Sequence, residues 1–423
     1  MLVKDIELIP AISDLVDNSI DGARRLSGND RYDGRWVRLE LSECEFRISD
    51  NCGGIPVDVA VNYAFRFGRP EKMTATPHSV GQFGVGMKRA LFKLGGRFVI
   101  ASATESSRFT LDVEVEKWRK KEDEWEFKFK TFDDNVAVPD DERGTTIAVT
   151  ELHPSVSKDF GLATFLGRLR EELERKHQQT MDRGLGISVN GVPLAVNVVD
   201  LLQSEDLRPA FAELSFNHSA DPVVAQVWAG ISASVPRDAG WYIFCNGRLV
   251  LGPDQSEVTG WGEGDGRIIP KYHNQFARFR GYVFFDSDDS ARLPWNTTKT
   301  GVDLDADIYR TTRQKMLVLM RPVINFLNRL DAEKETTGDD NGPLEESVAA
   351  AAPARLSDIA GESTFGAPAV APKPKVPKPG NILYAKPRAE IERVKKALGV
   401  TTYRDVGIGT FDYFVAAELE DEA

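Results

Sequence analysis

The chain has 423 residues, with 65 acidic against 53 basic side chains and a net charge of −12. This length suffices for two domains with full cores and an appendage. The acidic balance excludes a protein whose whole surface attracts nucleic acid, although a local basic patch stays compatible with it. Three cysteines are too few, and odd in number, for a disulfide framework, and the five histidines lack metal-ligand spacing. No signal peptide and no apolar run of membrane-spanning length is recognisable, so we expect a cytoplasmic protein without a membrane partner.

Residues 11–23 have helical periodicity. Their apolar and small side chains recur three and four positions apart and predict one buried helix stripe. Asp14 and Asn18 are four apart, so they project one turn above each other from a neighbouring face. A carboxylate and a carboxamide stacked in this way suit a water-positioning group beside a ligand of Mg²⁺, which takes hard oxygen donors and shares them with phosphates. An acidic solvated face that carries an asparagine is the alternative.

Residues 46–56 predict a short strand that ends in the turn Asp50-Asn51-Cys52-Gly53-Gly54. A buried aspartate at such a turn can accept a hydrogen bond from an exocyclic amine, which is how a site selects adenine. Burial of an unpartnered carboxylate is costly, so we expect Asp50 to have polar partners. An ordinary Asp-Asn turn is the alternative.

Residues 79–88 place Gly81, Gly84 and Gly86 at G-x-x-G-x-G spacing directly before an apolar, helix-like run. Glycine permits positive φ and lets backbone N–H groups approach a ligand closely. Successive N–H groups ahead of a helix N-terminus form an anion site, so the pattern predicts a bound polyphosphate. Among the nearby cations, Lys88 is the one that we expect to contact the anion. A plain glycine-rich turn before a helix is the alternative.

Taken in order, these three segments resemble the N-box and the two glycine boxes of the GHKL ATPases, the superfamily of gyrase B, the heat-shock-ninety chaperones, MutL, histidine kinases and the MORC proteins. The Gly-Thr-Thr strand at residues 143–149 is similar to a fourth family motif. Residues 65–72, followed by 80–88, resemble the lid of MORC proteins and favour the MORC/MutL branch. The resemblance implies an α+β chain that begins with a two-layer α/β sandwich, the Bergerat fold, and that binds ATP and Mg²⁺.

The resemblance also implies roles for single residues. Asp14 would be catalytic, Asn18 would bind ATP and the metal, and Asp50 and Thr146 would select adenine. The other implied ATP-binding positions are Gly54, Gly81, Gln82, Phe83, Gly84, Val85, Gly86, Met87 and Lys88.

Two positions depart from the family pattern. Asp14 replaces the catalytic glutamate and is one methylene shorter, and positioning errors near 1 Å cost on the order of a hundredfold in rate. Slow hydrolysis is therefore expected. Cys52 replaces the first glycine of its box; it is strained if its φ is positive and neutral otherwise. We expect no reactive role for Cys52, because no histidine lies nearby in the sequence.

Beyond residue 150, the pattern predicts a helix over 159–183, a hairpin at Asn190-Gly191 and alternating strands from residue 225, with a second Asn-Gly turn before Arg248. This region resembles the S5-like transducer domain of MutL-like and MORC-like proteins. Trp241 and Cys245 are expected in its core, and Arg248 is expected to be a solvated turn residue.

A polar loop over residues 293–301 precedes a helix predicted over 307–330. In the gyrase and MutL branch a lysine of this loop pairs with the γ-phosphate, and Lys299 matches it. A lysine can act as a point charge on a terminal phosphate, so we expect Lys299 to be catalytic in this sense. A solvated loop lysine is the alternative.

Four regions are predicted: an ATPase domain (1–205), a transducer domain (206–331), a proline- and alanine-rich linker (332–380) and a small C-terminal module or docking segment (381–423). The alternating prolines and lysines near residue 375 favour an extended, semi-rigid linker. About 40 residues cannot bury much core alone, so we expect the module to order on a partner.

By resemblance, the chain is an ATPase whose ATP-bound homodimer acts as a clamp on DNA or on protein partners in repair, silencing or defence. A nucleotide-gated binding protein that hardly hydrolyses ATP is the main alternative, because of Asp14. A chaperone-like protein is another, but no long charged middle domain or dimerisation domain is visible. A histidine kinase requires a phosphoacceptor histidine upstream of the N-box, and 17 residues precede Asn18.

Overall fold

The structure, a computed structural model, describes residues 7–27, 31–61, 86–120, 127–217, 221–296, 299–337, 342–359, 361, 363–368 and 382–418. The chain forms two compact units, Met1–Pro372 and Lys373–Ala423. The first unit contains two domains, an amino-terminal domain and a second domain.

The amino-terminal domain is a mixed sheet covered by helices. Its helices are α1 (Leu8–Ser27), α2 (Val57–Val59), α3 (Gly86–Leu94), α4 (Val115–Arg119), α5 (Pro154–Phe160) and α6 (Ala163–Asp182). Its strands are β1 (Trp36–Leu41), β2 (Phe46–Asp50), β3 (Gly95–Ala103), β4 (Ser107–Glu114), β5 (Phe129–Asp134), β6 (Gly144–Leu152), β7 (Gly186–Val189) and β8 (Val192–Pro193). The strand order is β5-β4-β3-β6-β2-β1-β7-β8, and neighbours are antiparallel except for the parallel pair β1 and β7.

Helices cover one face of this sheet. Alternate residues of β1, β2, β4 and β6 are buried, as period-two strands require when one face lies against a core. Buried side chains of α1, α3, α5 and α6 complete the same hydrophobic cluster. The predicted two-layer sandwich of an α+β protein is therefore confirmed.

The second domain has a mixed sheet that is covered on both faces. It comprises β9 (Asp200–Gln203), β10 (Ala210–Phe216), β11 (Val223–Ile231), β12 (Gly240–Cys245), β13 (Arg248–Asp254), β14 (Phe279–Ser287) and helix α7 (Asp307–Thr337). The main sheet has the order β10-β11-β14-β12-β13, in which β12 and β14 are parallel. Helix α7 packs on one face, and both Trp241 and Cys245 are fully buried beneath it, as predicted. The relation of this domain to the S5 fold stays a prediction.

The structure differs from the expected linker over residues 343–368. Helix α8 (Pro343–Ala350) buries Leu344 and Val348, and β15 (Ala352–Arg355) pairs antiparallel with β9. Leu356 and Ile359 then cover the aromatic face of the main sheet opposite α7. The alanine and proline content of this segment led to the prediction of a linker. Its few apolar residues form no core of their own; they are buried against a sheet whose strands are distant in the sequence. The four-region division otherwise stays a prediction.

The second unit is a helical hairpin. Helices α9 (Arg388–Leu398) and α10 (Tyr403–Glu418) contact each other. Val406 is buried, but Leu383, Tyr384 and Tyr413 are largely exposed. A pair of short helices with so little buried area has little core of its own, and the function of this segment as a docking module stays a prediction. Among the described helices of the whole chain, none is long and apolar enough to cross a membrane.

Gly22 fixes how closely α1 approaches the turn after β2. A Cβ at this position would lie 2.6 Å from the carbonyl oxygen of Cys52, which no real Cβ tolerates. Because the neighbour is backbone, it cannot rotate away. Glycine at this helical position, normally unfavourable by about 1 kcal/mol relative to alanine, is therefore required by packing.

We predict that Gly22→Ala lowers the free energy of unfolding by roughly 1–3 kcal/mol through this overlap, as measured by urea denaturation. Gly167→Ala is the matched control, because Gly167 also lies within a helix but a Cβ there meets nothing within 4 Å. The control should gain up to about 1 kcal/mol from helix propensity. Equal effects of the two substitutions would contradict the close approach at Gly22.

Candidate functional site

Helix α1 presents a ladder of polar side chains on the side where its apolar stripe ends. Asp14, Asp17 and Asp21 follow each other at spacings of three and four, so they lie on consecutive turns. The side chain of Asp17 is 1 % exposed, that of Asp14 is 25 % exposed, and Asn18 is open to solvent. The predicted helix is confirmed, and one edge of it carries both Asp14 and Asn18.

Asp50 lies at the end of β2, is partly buried, and has the polar partners that the sequence predicts for it. Its Oδ2 accepts a hydrogen bond of 2.7 Å from the Ser19 hydroxyl on α1. Its Oδ1 accepts the backbone N–H groups of Cys52 at 2.9 Å and Thr145 at 3.2 Å. Burial raises the pKa of Asp50, and these three hydrogen bonds counteract that rise. The carboxylate is thereby held in one orientation between α1, β2 and β6.

The pairing of β2 with β6 decides which threonine accompanies Asp50. Thr145 is the partner of Asp50, whereas Thr146 is the partner of Ser49. Since side chains alternate between the two faces of a strand, Thr145 shares the face of Asp50 and Thr146 points to the other face. The Thr145 hydroxyl also lies 3.2 Å from the Ser102 hydroxyl of β3. The structure thus brings Thr145, not the predicted Thr146, to Asp50.

The turn after β2 needs glycine at two positions but not at Cys52. Gly53 and Gly54 have φ of 83° and 72°, and a Cβ on Gly54 would lie 2.2 Å from the Ala103 carbonyl oxygen. Cys52 has no positive φ, so its replacement of the family glycine causes no backbone strain. Burial raises the pKa of the Cys52 thiol well above its usual range, which agrees with the absence of a reactive role.

Most of the predicted phosphate loop lies outside the described residues. The predicted positions outside them are Gly81, Gln82, Phe83, Gly84 and Val85. The described part begins with Gly86, the first residue of α3. A Cβ on Gly86 would be 3.4 Å from Oδ2 of Asp14, so this helix N-terminus faces the candidate catalytic carboxylate. Met87 packs against the core of the domain. Lys88 is buried, and burial lowers its pKa to about 8.

Arg248 of the second domain enters the site, contrary to the expectation of a solvated turn residue. It follows the Asn246-Gly247 turn between β12 and β13, and its side chain is 1 % exposed. Its guanidinium forms a direct ion pair with Asp17 and lies 3.3 Å from Oδ1 of Asp14. The spacing of Asp14, Asp17 and Asp21 on α1 could have indicated a buried cation, but nothing local identified Arg248 as that cation.

Lys299 reaches the same acidic group from the loop before α7. Its Nζ lies 4.0 Å from Oδ2 of Asp17, and the residue is 8 % exposed, which excludes the solvated alternative. Burial, together with the neighbouring charge of Arg248, lowers the pKa of Lys299 to about 8. Its proposed contact with a γ-phosphate is not tested by these distances and stays a prediction.

His177, a buried histidine, lies beside Asp17 on the buried side of this cluster. The His177 Nε2 of α6 lies 3.4 Å from the Ser13 hydroxyl, and Nδ1 lies 3.9 Å from Oδ1 of Asp17. Burial, with the charges of Lys176 and Arg24, lowers the pKa of His177 to about 3. The residue types are those of a Ser-His-Asp triad, but Ser13 and His177 have no exposed surface, so no substrate reaches them. Their role is structural.

The donor set fits a magnesium ion that is shared with a nucleotide. Within the described ranges, no three histidine, cysteine or acidic side chains are grouped to hold a metal. Asn18 offers one exposed amide oxygen beside Asp14 on α1. Because Mg²⁺ keeps several waters and takes its other ligands from phosphates, one such oxygen suits a metal that arrives with a triphosphate.

Stability between pH 8 and 10.5 tests the buried state of Lys299. In this range the unfolded chain keeps the lysine proton while the folded chain has released it, so the contribution of Lys299 to the free energy of unfolding rises with pH. We predict that Lys299→Met removes up to about 1.4 kcal/mol of this rise per pH unit. Urea denaturation at several pH values measures it. Lys117→Met is the control, because Lys117 is 76 % exposed; equal pH dependence in Lys299→Met and wild type would contradict the prediction.

The comparison with known proteins agrees with this geometry. Residues 6–145 match the family model of the histidine kinase-, DNA gyrase B- and HSP90-like ATPases. No curated protein matches the chain. The match covers α1, the turn after β2, the start of α3 and the beginning of β6, which together build the site around Asp14 and Asp50. It does not distinguish the MORC/MutL branch from others. At the level of the superfamily, residues 6–145 of the amino-terminal domain match GHKL-type ATP-binding domains.

Proposed function

We propose that the amino-terminal domain binds Mg·ATP and hydrolyses it to ADP and phosphate. The observation that carries the proposal is Asp50, a partly buried carboxylate that is fixed by Ser19 and two backbone N–H groups beside a turn without room for a Cβ. A carboxylate has about four acceptor positions, and the three hydrogen bonds above occupy two on Oδ1 and one on Oδ2. The remaining position on Oδ2 suits an exocyclic amine such as that of adenine.

The rest of the site suits the other parts of the nucleotide. We assign the neighbouring threonine role to Thr145, since it shares the face of Asp50. Gly86 and Lys88, with residues 81–85, would hold the phosphates at the start of α3. Asn18 would ligate Mg²⁺, which neutralises charge on the phosphate oxygens. Asp14 would orient the attacking water, and Lys299 would contact the γ-phosphate.

Asp50→Asn tests the selection of adenine with a side chain that can keep the hydrogen bonds of Asp50 within the protein. The amide oxygen can still accept the N–H groups of Cys52 and Thr145, and the amide nitrogen can donate to Ser19, whose hydroxyl also accepts. At the position proposed for adenine, however, the amide nitrogen and the exocyclic amine are both donors, so they cannot form the hydrogen bond that the carboxylate oxygen would accept. We predict that isothermal titration calorimetry shows Mg²⁺-dependent binding of ATP but not GTP to wild type, and at least about tenfold weaker ATP binding to Asp50→Asn. Equal affinity in a folded variant would remove adenine recognition from Asp50.

A second candidate function is nucleotide-gated binding with little hydrolysis. It is favoured by Asp14, which is shorter than the family glutamate and is engaged by Arg248. The two functions share the same site and differ in turnover alone. A single-turnover measurement of ATP hydrolysis by the wild-type full chain separates them. Formation of ADP favours the ATPase, and retention of intact ATP favours the binding protein.

We further propose that ATP closes a homodimer that acts as a clamp on DNA or on a protein of a DNA-transaction complex, in repair, silencing or defence. The support is the superfamily match, together with the approach of two second-domain cations, Arg248 and Lys299, to the site. Such an approach makes the placement of the second domain sensitive to the charge of the bound nucleotide.

Light scattering tests the clamp. We predict that a non-hydrolysable ATP analogue doubles the mass of wild type but leaves Asp50→Asn unchanged, because dimer closure requires the bound nucleotide. A DNA clamp should in addition retain circular DNA at high salt, where phosphate contacts are weakened, and release it after linearisation. An unchanged mass of wild type with bound analogue would argue against a dimeric clamp.

A further inference from the structure

The turn before Arg248 has a tightly constrained backbone. Asn246 and Gly247 have φ of 44° and 71°, and the Asn246 side chain exchanges two hydrogen bonds, of 3.1 and 3.0 Å, with the backbone of Ser287 on β14. A Cβ on Gly247 would lie 2.9 Å from Arg24 Nη2 and 3.0 Å from Gln179 Oε1, so the turn sits tightly between α1 and α6. Arg24 also donates to the Asn246 carbonyl oxygen. The direction of the Arg248 side chain is thus set by both domains.

The guanidinium joins two carboxylates that differ in exposure. Asp17 is 1 % exposed and anchors Arg248 by a direct ion pair, while Asp14 is 25 % exposed and lies 3.3 Å away through Oδ1. The other oxygen of Asp14, Oδ2, faces Gly86 at the start of α3. Arg248 therefore occupies one side of the Asp14 carboxylate and leaves the other side toward the proposed phosphate site.

We propose that Arg248 is a positioning residue for Asp14, so that hydrolysis of ATP requires the second domain to be docked on α1. This inference rests on the proposed function. In the ATP-bound state Asp14 Oδ2 would accept a hydrogen bond from the attacking water, and Arg248 would hold the carboxylate in that orientation through Oδ1. A short aspartate depends on this support, because misplacement by 1 Å costs on the order of a hundredfold in rate.

The test uses the full chain and separates binding from turnover. Arg248→Gln should lower the single-turnover rate of ATP hydrolysis on the order of a hundredfold, close to the effect of Asp14→Ala, while the Kd for Mg·ATP stays within about threefold of wild type. Arg248→Lys, which keeps the charge but loses the planar fork, should recover part of the rate. Arg175→Gln is the matched control: Arg175 also reaches across the domains, to the Gly252 carbonyl oxygen at 2.8 Å, without contacting Asp14. It should hydrolyse ATP as wild type does.

Arg248→Gln removes the direct ion pair of the buried Asp17 and leaves it with the more distant Lys299, at 4.0 Å, so loss of folding needs its own control. The double variant Asp17→Asn/Arg248→Gln removes both charges and should have a melting temperature nearer to wild type than Arg248→Gln alone. If Arg248 positions Asp14, the double variant stays slow although it is folded. If Arg248 merely balances Asp17, the double variant regains the wild-type rate, and the inference is overturned.

The outcomes also distinguish this inference from the proposed function. Wild type that fails to bind Mg·ATP, or that binds it without forming ADP, contradicts the ATPase itself and with it any role of Arg248 in turnover. Wild type that hydrolyses ATP, together with folded Arg248→Gln of equal rate, contradicts the positioning role alone. A slow Arg248→Gln whose Kd is weakened in proportion would instead place Arg248 in nucleotide binding and overturn the inference as well.

Discussion

The ion pair between Asp17 and Arg248 is the constraint on which the site depends. A carboxylate that is 1 % exposed on α1 cannot stay charged without a partner, and removal of one partner from a buried pair typically costs about 3–5 kcal/mol. The partner comes from another domain, 231 positions further along the chain. The amino-terminal domain therefore completes its own helix surface only when the second domain is docked on it. Lys299, which lies 4.0 Å from the same carboxylate, adds a second cation to the same group.

The Asn-Gly-Arg turn shows how three adjacent residues serve one contact. Asn246 is bound to β14, Gly247 permits the close approach to Arg24 and Gln179, and Arg248 supplies the charge. Each property is ordinary in a hairpin turn, and positive φ at Asn-Gly is the usual reason for that pair. Here the turn must also fit between α1 and α6, so its geometry is determined by the opposing domain as well as by its own strands.

Local patterns predicted more of this protein than contacts between distant segments did. The α1 helix, the hairpin at Asn190-Gly191 and the buried Trp241 all follow from periodicity or turn chemistry within a few residues. Thr145 was missed because a one-residue change of register moves a side chain to the other face, and register depends on the strand partner. Arg248 and residues 343–368 were missed because their burial is created by segments far away in the sequence. The dimer, the partner and the role of Lys299 concern states with bound ligand, which neither the local pattern nor the described contacts determine.

The two oxygens of Asp14 face different neighbours. Oδ1 lies 3.3 Å from the Arg248 guanidinium, which is held by its ion pair with Asp17. The same arginine fixes where the carboxylate points, and Oδ2 remains toward the start of α3. In the proposed mechanism Asp14 orients the attacking water, and phosphoryl transfer depends chiefly on positioning and on charge stabilisation. The shorter aspartate keeps the carboxylate near the axis of α1, within reach of the guanidinium that Asp17 anchors. In the proposed mechanism, the aspartate in place of the family glutamate and the buried Arg248 therefore form one arrangement, in which the second domain orients the shorter side chain.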